Sequence, residues 1–411
     1  MGCAASCKKK NPSIPEVAVF ASPITVPAHS ERLQKSLKGL FPPQLLSRLS
    51  LLRDRIRCLA EDPSESAIDE LREALQEYLP VAVGLTTQEC GLGREVEFKW
   101  NKLGEGRQET GRANPWFELL CVIHAMAMTT LWKANSMMIP KVQPGSDTRT
   151  ISAECKRDSV DLLLKASGFL EFCITRVLLH AQPETTKRLP IDLQAEVLRA
   201  ISIQALGQGT EIQLGLAVES QKASLSVKRR LACEQLSYFS QAHGCLSEGE
   251  RSHGHGKKLL LFCKWKYLEA KAAAYYYHGL IVDKGNEPTC HMSSFCCFLA
   301  AQELLSESKK ACLSFCLADP VCRIPPLWGA MKYLYQKIPE VASRKSQMYG
   351  YLLEQEKGLH TLPDLPEFPL SLSPEEYQLP EVDPSWDQTM WEEVEVQKLK
   401  DHLKDHEDDN D

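Results

Sequence analysis

Residues 190–242 read PIDLQAEVLRAISIQALGQGTEIQLGLAVESQKASLSVKRRLACEQLSYFSQA. Apolar side chains recur at helical spacing in two successive rows, which predicts two long core helices. These side chains are Leu193, Val197, Leu198, Ile201, Ala205, Leu206, Leu214, Val218, Val227, Leu231, Leu236 and Phe239. Gly207 and Gly209 interrupt the pattern, at a cost of roughly 1 kcal/mol each relative to Ala within a helix. No pattern typical of catalytic chemistry occurs in this stretch, which favours a scaffold.

The chain of 411 residues has the composition of a soluble globular protein, with 43% hydrophobic and 25% charged residues. No apolar run reaches the ~18 to 20 residues that a membrane-spanning helix needs, and no secretory signal opens the sequence. We therefore expect the protein on the cytosolic side of membranes. The sixteen cysteines show no paired spacing, so we expect buried thiols rather than disulfides.

Acidic charge is concentrated at the C-terminal end. Residues 392–411 contain nine Asp or Glu against three Lys, so they carry the whole net charge of -6 and the remainder is balanced. We expect the tail, residues 387–411, to form a charged helix or a disordered segment. A balanced body with an acidic tail argues against nucleic acid as a partner.

The first ten residues, MGCAASCKKK, carry an N-myristoylation motif. Removal of Met1 makes Gly2 the N-terminus, and Ser6 completes the M-G-x-x-x-[ST] pattern. A single myristoyl chain binds a membrane only marginally, so stable anchoring needs a second signal. The second signals are Cys3 and Cys7, which can be S-acylated, and Lys8, Lys9 and Lys10, each of which can add about 1 kcal/mol against anionic lipid. We therefore expect residues 1–14 to form a lipidated, flexible N-terminus; the alternative is a chance Met-Gly start on a disordered tail.

The first hundred residues combine short extended pieces with helices. Two apolar pieces before residue 27 lie between prolines, which limit them to edge strands or extended chain. Residues 31–78 show two helical patterns, and residues 81–93 predict a glycine-containing link. The alternating run at 96–100 predicts a strand that we expect to pair with the N-terminal extended segment.

Longer helical patterns fill the chain beyond residue 115. They predict helices over 115–138, 151–179, 259–277 and 296–316, in addition to the two in residues 190–242. The polar residues 243–258 predict an exposed connection. Helices of ~20 residues joined by short loops, with no repeat of fixed period, predict a curved and non-uniform α-solenoid.

Residues 359–386 change character, because six prolines alternate there with large apolar side chains. Pure linkers rarely carry so many large apolar residues. We therefore expect this arm to lie extended against the helical body, with its apolar residues in grooves.

No motif has the spacing of a catalytic or metal site. His253 and His255 lie in a polar loop that lacks both a phosphate-loop pattern and neighbouring metal ligands. Cys312 and Cys316 are typical of two small residues on one helix face, and His124 is typical of a core histidine with satisfied hydrogen bonds. An enzyme with a Cys nucleophile and a His base stays an alternative that no specific residue supports. No cofactor is predicted.

The order of short motifs along the chain resembles the Bro-one domain family, the curved helical modules of endosomal sorting adaptors. The motifs are Phe98-Lys99-Trp100, the apolar helix Trp116 to Ala134, Ala217-Val218-Glu219, Ala232-Cys233-Glu234, Tyr238-Phe239, Gln241-Ala242, Tyr333-Leu334-Tyr335-Gln336-Lys337-Ile338-Pro339 and the Pro-rich closing arm. The resemblance implies one domain over residues 15–386. Its fold is mainly α: an elongated, curved helical solenoid with a tetratricopeptide-like middle, a small β-sheet near the N-terminus and a Pro-rich extended C-terminal arm.

The resemblance also implies binding rather than catalysis. In the family an apolar patch receives the C-terminal amphipathic helix of an ESCRT-III-type subunit, which is helix-in-groove recognition. Carried over by position, the patch residues are Leu214, Val227 and Leu231. We therefore expect a non-catalytic, lipid-anchored adaptor for endosomal sorting at the cytosolic face of the endosomal or plasma membrane.

Two features set the sequence apart from the family pattern. Lys228, Arg229 and Arg230 lie between two of the patch residues. An acidic peptide or an anionic lipid headgroup is therefore an alternative ligand for this region. Some short family members are prenylated at the C-terminus, whereas this sequence ends in Asp-Asp-Asn-Asp and carries its lipidation motif at Gly2. The oligomeric state is not predicted.

Overall fold

A computed structural model gives the structure of most of the chain. The described residues are 16–38, 40–62, 65–87, 96–102, 109–142, 149–180, 189–220, 222–247, 254–325, 327–355 and 362–387. The predicted lipidation residues, His253 and the acidic tail beyond residue 387 lie outside them.

Ten α-helices make up most of the described part of the chain. They are α1 (Glu31–Leu37), α2 (Pro43–Ala60), α3 (Glu65–Thr87), α4 (Pro115–Met138), α5 (Ala153–Phe172), α6 (Ala195–Glu219), α7 (Leu225–Ser247), α8 (Gly254–Val282), α9 (Pro288–Leu317) and α10 (Gly329–Gln355). Each helix from α2 to α10 packs against the next one in sequence, and α10 also returns to contact α6. Helices that bury their faces against sequence neighbours form a solenoid, as the sequence predicts.

A small antiparallel sheet lies near the N-terminus. Its strands are β1 (Thr25–Pro27), β2 (Phe98–Lys102) and β3 (Glu109–Arg112), in that spatial order. Val26 lies opposite Asn101, so the N-terminal extended segment pairs with the predicted strand. A separate pair of short strands, β4 (Lys141–Val142) and β5 (Arg149–Thr150), connects α4 to α5. The small sheet of the predicted fold is confirmed.

Two predictions of helix ends are wrong. The helical pattern that was expected to end at Tyr78 continues as α3 to Thr87, through Pro80. An interior proline costs about 3 kcal/mol, but Val81 and Leu85 beyond it are completely buried, and their burial outweighs the cost. The expected connection over 243–258 is helical at both of its described ends, because α7 runs to Ser247 and α8 begins at Gly254.

Helix α4 is the central core helix of the N-terminal half. By length and composition it could span a membrane, and it is the one helix of the described residues that meets this test. However, 89% of its most apolar window is buried inside the fold. Its apolar surface is therefore used by packing against α3 and α5.

The carboxylate of Glu118 on α4 is the centre of a buried polar cluster. Its oxygens accept hydrogen bonds from the Tyr78 hydroxyl and the Trp100 indole, both at 2.6 Å, and from the Arg53 guanidinium. Arg53 also donates to the carbonyl of Lys99 at 3.0 Å. Burial and the nearby carboxylate raise the pKa of Tyr78, so its hydroxyl stays protonated and donates. The cluster joins α2, α3 and β2 to α4.

A second buried cluster joins α6, α8 and α10. The ammonium of Lys266 donates to Glu211 at 2.7 Å and to Glu269 at 3.1 Å, and the Tyr335 hydroxyl lies 3.4 Å from Glu269. Burial raises the pKa of Glu211 to about 7, against the opposing effect of Lys266. Removal of Lys266 would leave two buried carboxylates without their cation.

The C-terminal arm, residues 362–387, lies extended across the helices, as predicted. Its hydrogen bonds to the helices join Leu372 to Tyr238 (2.6 Å), Glu375 to Leu164 (3.1 Å), Asp383 to Pro80 (3.3 Å) and Trp386 to Val81 (3.2 Å). Tyr377 packs edge-on against Phe169 and Phe172, with ring centroids 4.7 and 5.2 Å apart. The arm therefore contacts helices from both halves of the solenoid.

Three helical glycines lie directly beneath the arm. A methyl group at Gly84, Gly168 or Gly209 would lie 2.1, 2.1 or 3.0 Å from Trp386, Glu375 and Leu372, respectively. At Gly207 the corresponding distance to the Phe239 ring on α7 is 3.2 Å. Gly207 and Gly209, which interrupt the sequence pattern, are thus sites of close packing inside α6.

Replacing Glu118 by Ala would leave the Arg53 guanidinium buried without a counter-charge. We expect the free energy of unfolding to fall by about 3 to 5 kcal/mol. Urea unfolding followed by circular dichroism measures this loss. Glu77→Ala is the matched control, because Glu77 pairs with Arg55 at 2.6 Å on the surface and its loss costs at most about 1 kcal/mol. Equal losses in the two variants would contradict the role of the cluster.

Replacing Gly168 by Ala would place a methyl group against the backbone of the arm. We expect a loss of about 1 to 3 kcal/mol in stability and faster proteolysis within residues 362–387. Gly244→Ala is the control, because no atom lies within 4 Å of its added methyl and Ala is the better helix former by about 0.5 to 1 kcal/mol. An arm equally protected in both variants would show that this contact does not hold it.

Candidate partner-binding surface

Helix α7 presents two aliphatic side chains of the predicted patch. Its first turn is capped by Ser224, whose hydroxyl accepts a hydrogen bond from the backbone of Val227 at 3.3 Å. Val227 and Leu231 are one helical turn apart and therefore lie on the same face. The side chain of Val227 is 46% exposed. Leu231 is half-buried and packs against the core formed by α6, α8 and α10.

Leu214 does not reach this surface. It is 1% exposed and lies within the hydrophobic core, because α6 is covered by α5, α7 and α10. The approach of α10 is close: a methyl group at Gly215 would lie 2.8 Å from the Cα atom of Gly329. The placement of Leu214 in an exposed patch is therefore corrected, and the surface part of the patch consists of Val227 and Leu231.

The basic residues between these two side chains are largely engaged by the fold. Arg230 pairs with the buried carboxylate of Glu234 at 2.7 Å, and the other oxygen of Glu234 accepts from the backbone of Ser371 in the arm at 2.9 Å. Arg229 lies 5.8 Å over the Phe368 ring and 3.5 Å from the Nδ1 atom of His278. Burial and the nearby Arg229 cation lower the pKa of His278, so this imidazole is neutral at pH 7.

A groove of about 410 Å³ runs along the same helix beside the arm. Its apolar lining comes from Leu236 on α7, Tyr267 on α8, and Leu365 and Phe368 in the arm. Sequence reasoning assigned no binding role to these four residues. The signal that could have found them is the density of large apolar residues in the Pro-rich arm.

Of the other residues singled out from the sequence, His124, Cys312 and Cys316 are buried, and His124 lacks the hydrogen bonds expected of a satisfied core histidine. His124 is fully buried, neither of its ring nitrogens has a hydrogen-bond partner, and burial lowers its pKa to about 4. Cys312 and Cys316 are buried, and a hydrogen bond from Cys316 lowers the pKa of the Cys312 thiol. The described residues contain no group of three His, Cys, Asp or Glu placed to hold a metal ion.

Comparison with known proteins supports one family. The family model of the BRO1-like domain matches residues 42–324. No curated protein matches the chain by sequence. Solved structures of similar fold are found at low sequence identity, and at such identities the likeness shows the fold alone.

Three of these structures cover most of the chain. ALIX in complex with the SIVmac239 PYKEVTEDL late domain is 14% identical over 89% of this chain and 50% of that one, with a TM-score of 0.63. The complex of ALIX BRO1 with CHMP4C is 15% identical over 89% and 95% of the two chains, with a TM-score of 0.59. A structure reported as the basis for endosomal targeting by the Bro1 domain is 14% identical over 91% and 96%, with a TM-score of 0.56.

The chain spans about half the length of the first ALIX chain and nearly all of the two BRO1-domain chains. The fold agrees with the family match, because it has a small sheet near the N-terminus and a solenoid of neighbouring helices. Because the family model covers more than half of the sequence, the chain belongs to the BRO1-like domain family.

Proposed function

We propose that this protein is a non-catalytic adaptor that binds the C-terminal amphipathic helix of an ESCRT-III-type subunit while anchored to the cytosolic face of endosomal or plasma membrane. The observation that carries the binding half is the pair Val227 and Leu231, exposed and half-buried on one face of α7 in a BRO1-like domain. The similar fold of ALIX BRO1, solved in complex with CHMP4C, supports this class of partner.

The geometry of α7 suits an amphipathic helix. Such a helix presents apolar residues at intervals of three and four, which match the one-turn spacing of Val227 and Leu231. The groove lined by Leu236 and Phe368 lies on a different face of α7 and is separate from this pair. Burial of each aliphatic side chain stabilises a complex by up to about 1.5 to 3 kcal/mol. Two such anchors are the basis of the proposed contact.

A basic-surface mode is the second candidate, in which Lys228, Arg229 and Arg230 receive an acidic peptide or an anionic headgroup. Glu234 offsets the charge of Arg230, and Arg229 is held over the Phe368 ring, so fewer basic groups are free to meet a partner. Apolar docking is therefore favoured over this mode.

The anchoring half of the proposal rests on the sequence of the first ten residues. Gly2 supplies the myristoylation site, Cys3 and Cys7 supply sites for S-acylation, and Lys8 to Lys10 supply attraction to anionic lipid. Because one myristoyl chain alone binds marginally, the combination is what supports stable attachment.

Replacing Val227 or Leu231 by Asp would place a carboxylate in the proposed apolar contact. We expect the affinity for an ESCRT-III-type C-terminal helix peptide to fall at least about tenfold, since a buried unpaired charge is strongly unfavourable. Fluorescence anisotropy with a labelled peptide measures the change. Leu51→Asp is the matched control, because Leu51 is 70% exposed on α2 and its substitution should leave the affinity unchanged.

Raising the salt concentration separates the two candidate modes. The affinity for the helix peptide should change little with salt if docking is apolar, whereas binding through the basic residues should weaken steeply as charges are screened.

Unchanged peptide affinity of Val227→Asp, with thermal unfolding as in the parent protein, would contradict the proposed contact. Leu231→Asp is the less clean variant, because its side chain is half-buried.

Replacing Gly2 by Ala removes the site of myristoylation. We expect the protein to move from the membrane fraction to the soluble fraction of cells, because stable attachment needs two signals and the variant lacks the myristoyl chain, which is one of them. Fractionation with immunoblotting measures the distribution. Ala4→Gly, a neighbouring change outside the motif positions, is the control. An unaltered distribution of Gly2→Ala would count against lipid anchoring.

A further inference from the structure

A run of aliphatic side chains is exposed where α9 ends and the chain turns toward α10. This segment, named the aliphatic loop, comprises residues 313–327 with the sequence LSFCLADPVCRIPPL. Its exposed aliphatic residues are Leu313 (48%), Leu317 (74%), Val321 (47%), Ile324 (61%) and Leu327 (46%). The charged residues of the segment are Asp319 and Arg323, which have opposite signs. The loop thus presents an apolar surface of no net charge.

The exposed aliphatic side chains lie on both the helical and the non-helical part of the segment. Leu313 and Leu317 lie one turn apart on the outer face of α9. Beyond the helix, Val321, Ile324 and Leu327 are exposed together with Asp319, Pro320 and Arg323, while Cys322, Pro325 and Trp328 are buried. The segment therefore packs against the body of the protein through its buried residues, and its aliphatic side chains face solvent.

Several contacts fix the shape of the loop. The ammonium of Lys258 donates to the carbonyls of Ala318, at 2.9 Å, and Pro320, and it lies 4.6 Å over the Phe315 ring. The backbone of Cys322 donates to the carbonyl of Cys316 at 3.1 Å. A loop held in this way loses little further conformational entropy when its exposed side chains move from water into an apolar environment.

The first described residue of the chain, Glu16, lies at this loop. Arg323 pairs with Glu16 at 3.8 Å, and the Phe20 ring lies 6.2 Å from Phe315 at the end of α9. Residues 2–15 precede Glu16. Fourteen residues of fully extended chain reach at most about 50 Å. A bilayer that holds an acyl group on Gly2 therefore keeps the aliphatic loop within that distance.

We propose that the aliphatic loop inserts into the interface of the same bilayer that holds the N-terminal lipid, as a second membrane contact. This inference rests on the proposed anchoring and deepens it. Because a single myristoyl chain binds only marginally, an adjacent apolar contact on the folded domain adds to it as a linked, intramolecular event. The contact would also orient the domain, with the end of α9 toward the lipid.

Co-sedimentation of the full-length, N-myristoylated protein with vesicles tests this contact. Cys3→Ser and Cys7→Ser keep it singly acylated, and the vesicles contain phosphatidylcholine and phosphatidylserine. We expect the double variant Leu317→Glu with Ile324→Glu to lower the vesicle partition coefficient at least about tenfold. The reason is that two aliphatic side chains that would be buried in the bilayer are replaced by charged ones. The control, Leu51→Glu with Leu179→Glu, makes the same charge change at residues that are 70% and 76% exposed elsewhere, and it should bind as the parent does.

The variants separate failure of this inference from failure of the anchoring. If Gly2→Ala releases the protein while the loop variant binds as its control does, the loop contact is overturned and the anchoring stands. If Gly2→Ala has no effect, the anchoring is overturned. A rise in vesicle binding by the loop variant would identify the loop as a dock for the protein's own acyl chain and would also overturn the proposal.

A spectroscopic readout gives the position of the loop directly. Ile324→Trp places an indole at the proposed point of insertion. We expect bilayers of brominated lipid to quench its emission in the vesicle-bound protein, relative to the parent protein as a background. Membrane-bound Ile324→Trp without additional quenching would overturn the insertion, whatever the partition coefficients show.

Discussion

The carboxylate of Glu118 satisfies donors from three different elements, and the N-terminal half of the solenoid is arranged around it. Tyr78 reaches it from α3, Trp100 from β2 and Arg53 from α2. A buried ion pair depends on good geometry and on the further hydrogen bonds to its groups, so the register of these elements relative to α4 is restricted. Apolar packing alone would tolerate small slides between helices. The shared carboxylate does not tolerate them, because a slide would break its hydrogen bonds.

The C-terminal arm has an equivalent role on the outside of the solenoid. Its residues cross helices that are far apart in sequence, and helical glycines beneath it leave room for its backbone and for Trp386. The arm also shapes the candidate partner surface. Ser371 shares the Glu234 carboxylate with Arg230, and Phe368 lies under Arg229. The apolar character of the α7 surface is therefore a property of helix and arm together.

Much of the fold could be predicted from periodicity and from turn-forming residues. The limits of α4, the two helices of residues 190–242, the pairing of β1 with β2 and the extended arm all follow from local patterns. The continuation of α3 through Pro80 does not, because burial of Val81 and Leu85 outweighs a local penalty. The burial of Leu214 was also missed, since a helix pattern does not reveal that a third helix, α10, covers the exposed side of α6. The same limit applies to Gly207 and Gly209, whose neighbours are distant in sequence.

The position of Trp386 has a consequence for how the protein reaches its native state during synthesis. Its indole donates to the carbonyl of Val81, 305 residues earlier, and its ring packs against Phe41 at a centroid distance of 5.0 Å. Helices α2 and α3 leave the ribosome long before this side chain is made. Until translation passes residue 386, the cleft over Gly84 has no occupant, and apolar surface that will be internal faces solvent. A nascent chain therefore carries this open site throughout most of its elongation, and chaperones can bind it there. The contact itself spans 305 residues, and contacts of such long sequence separation form slowly.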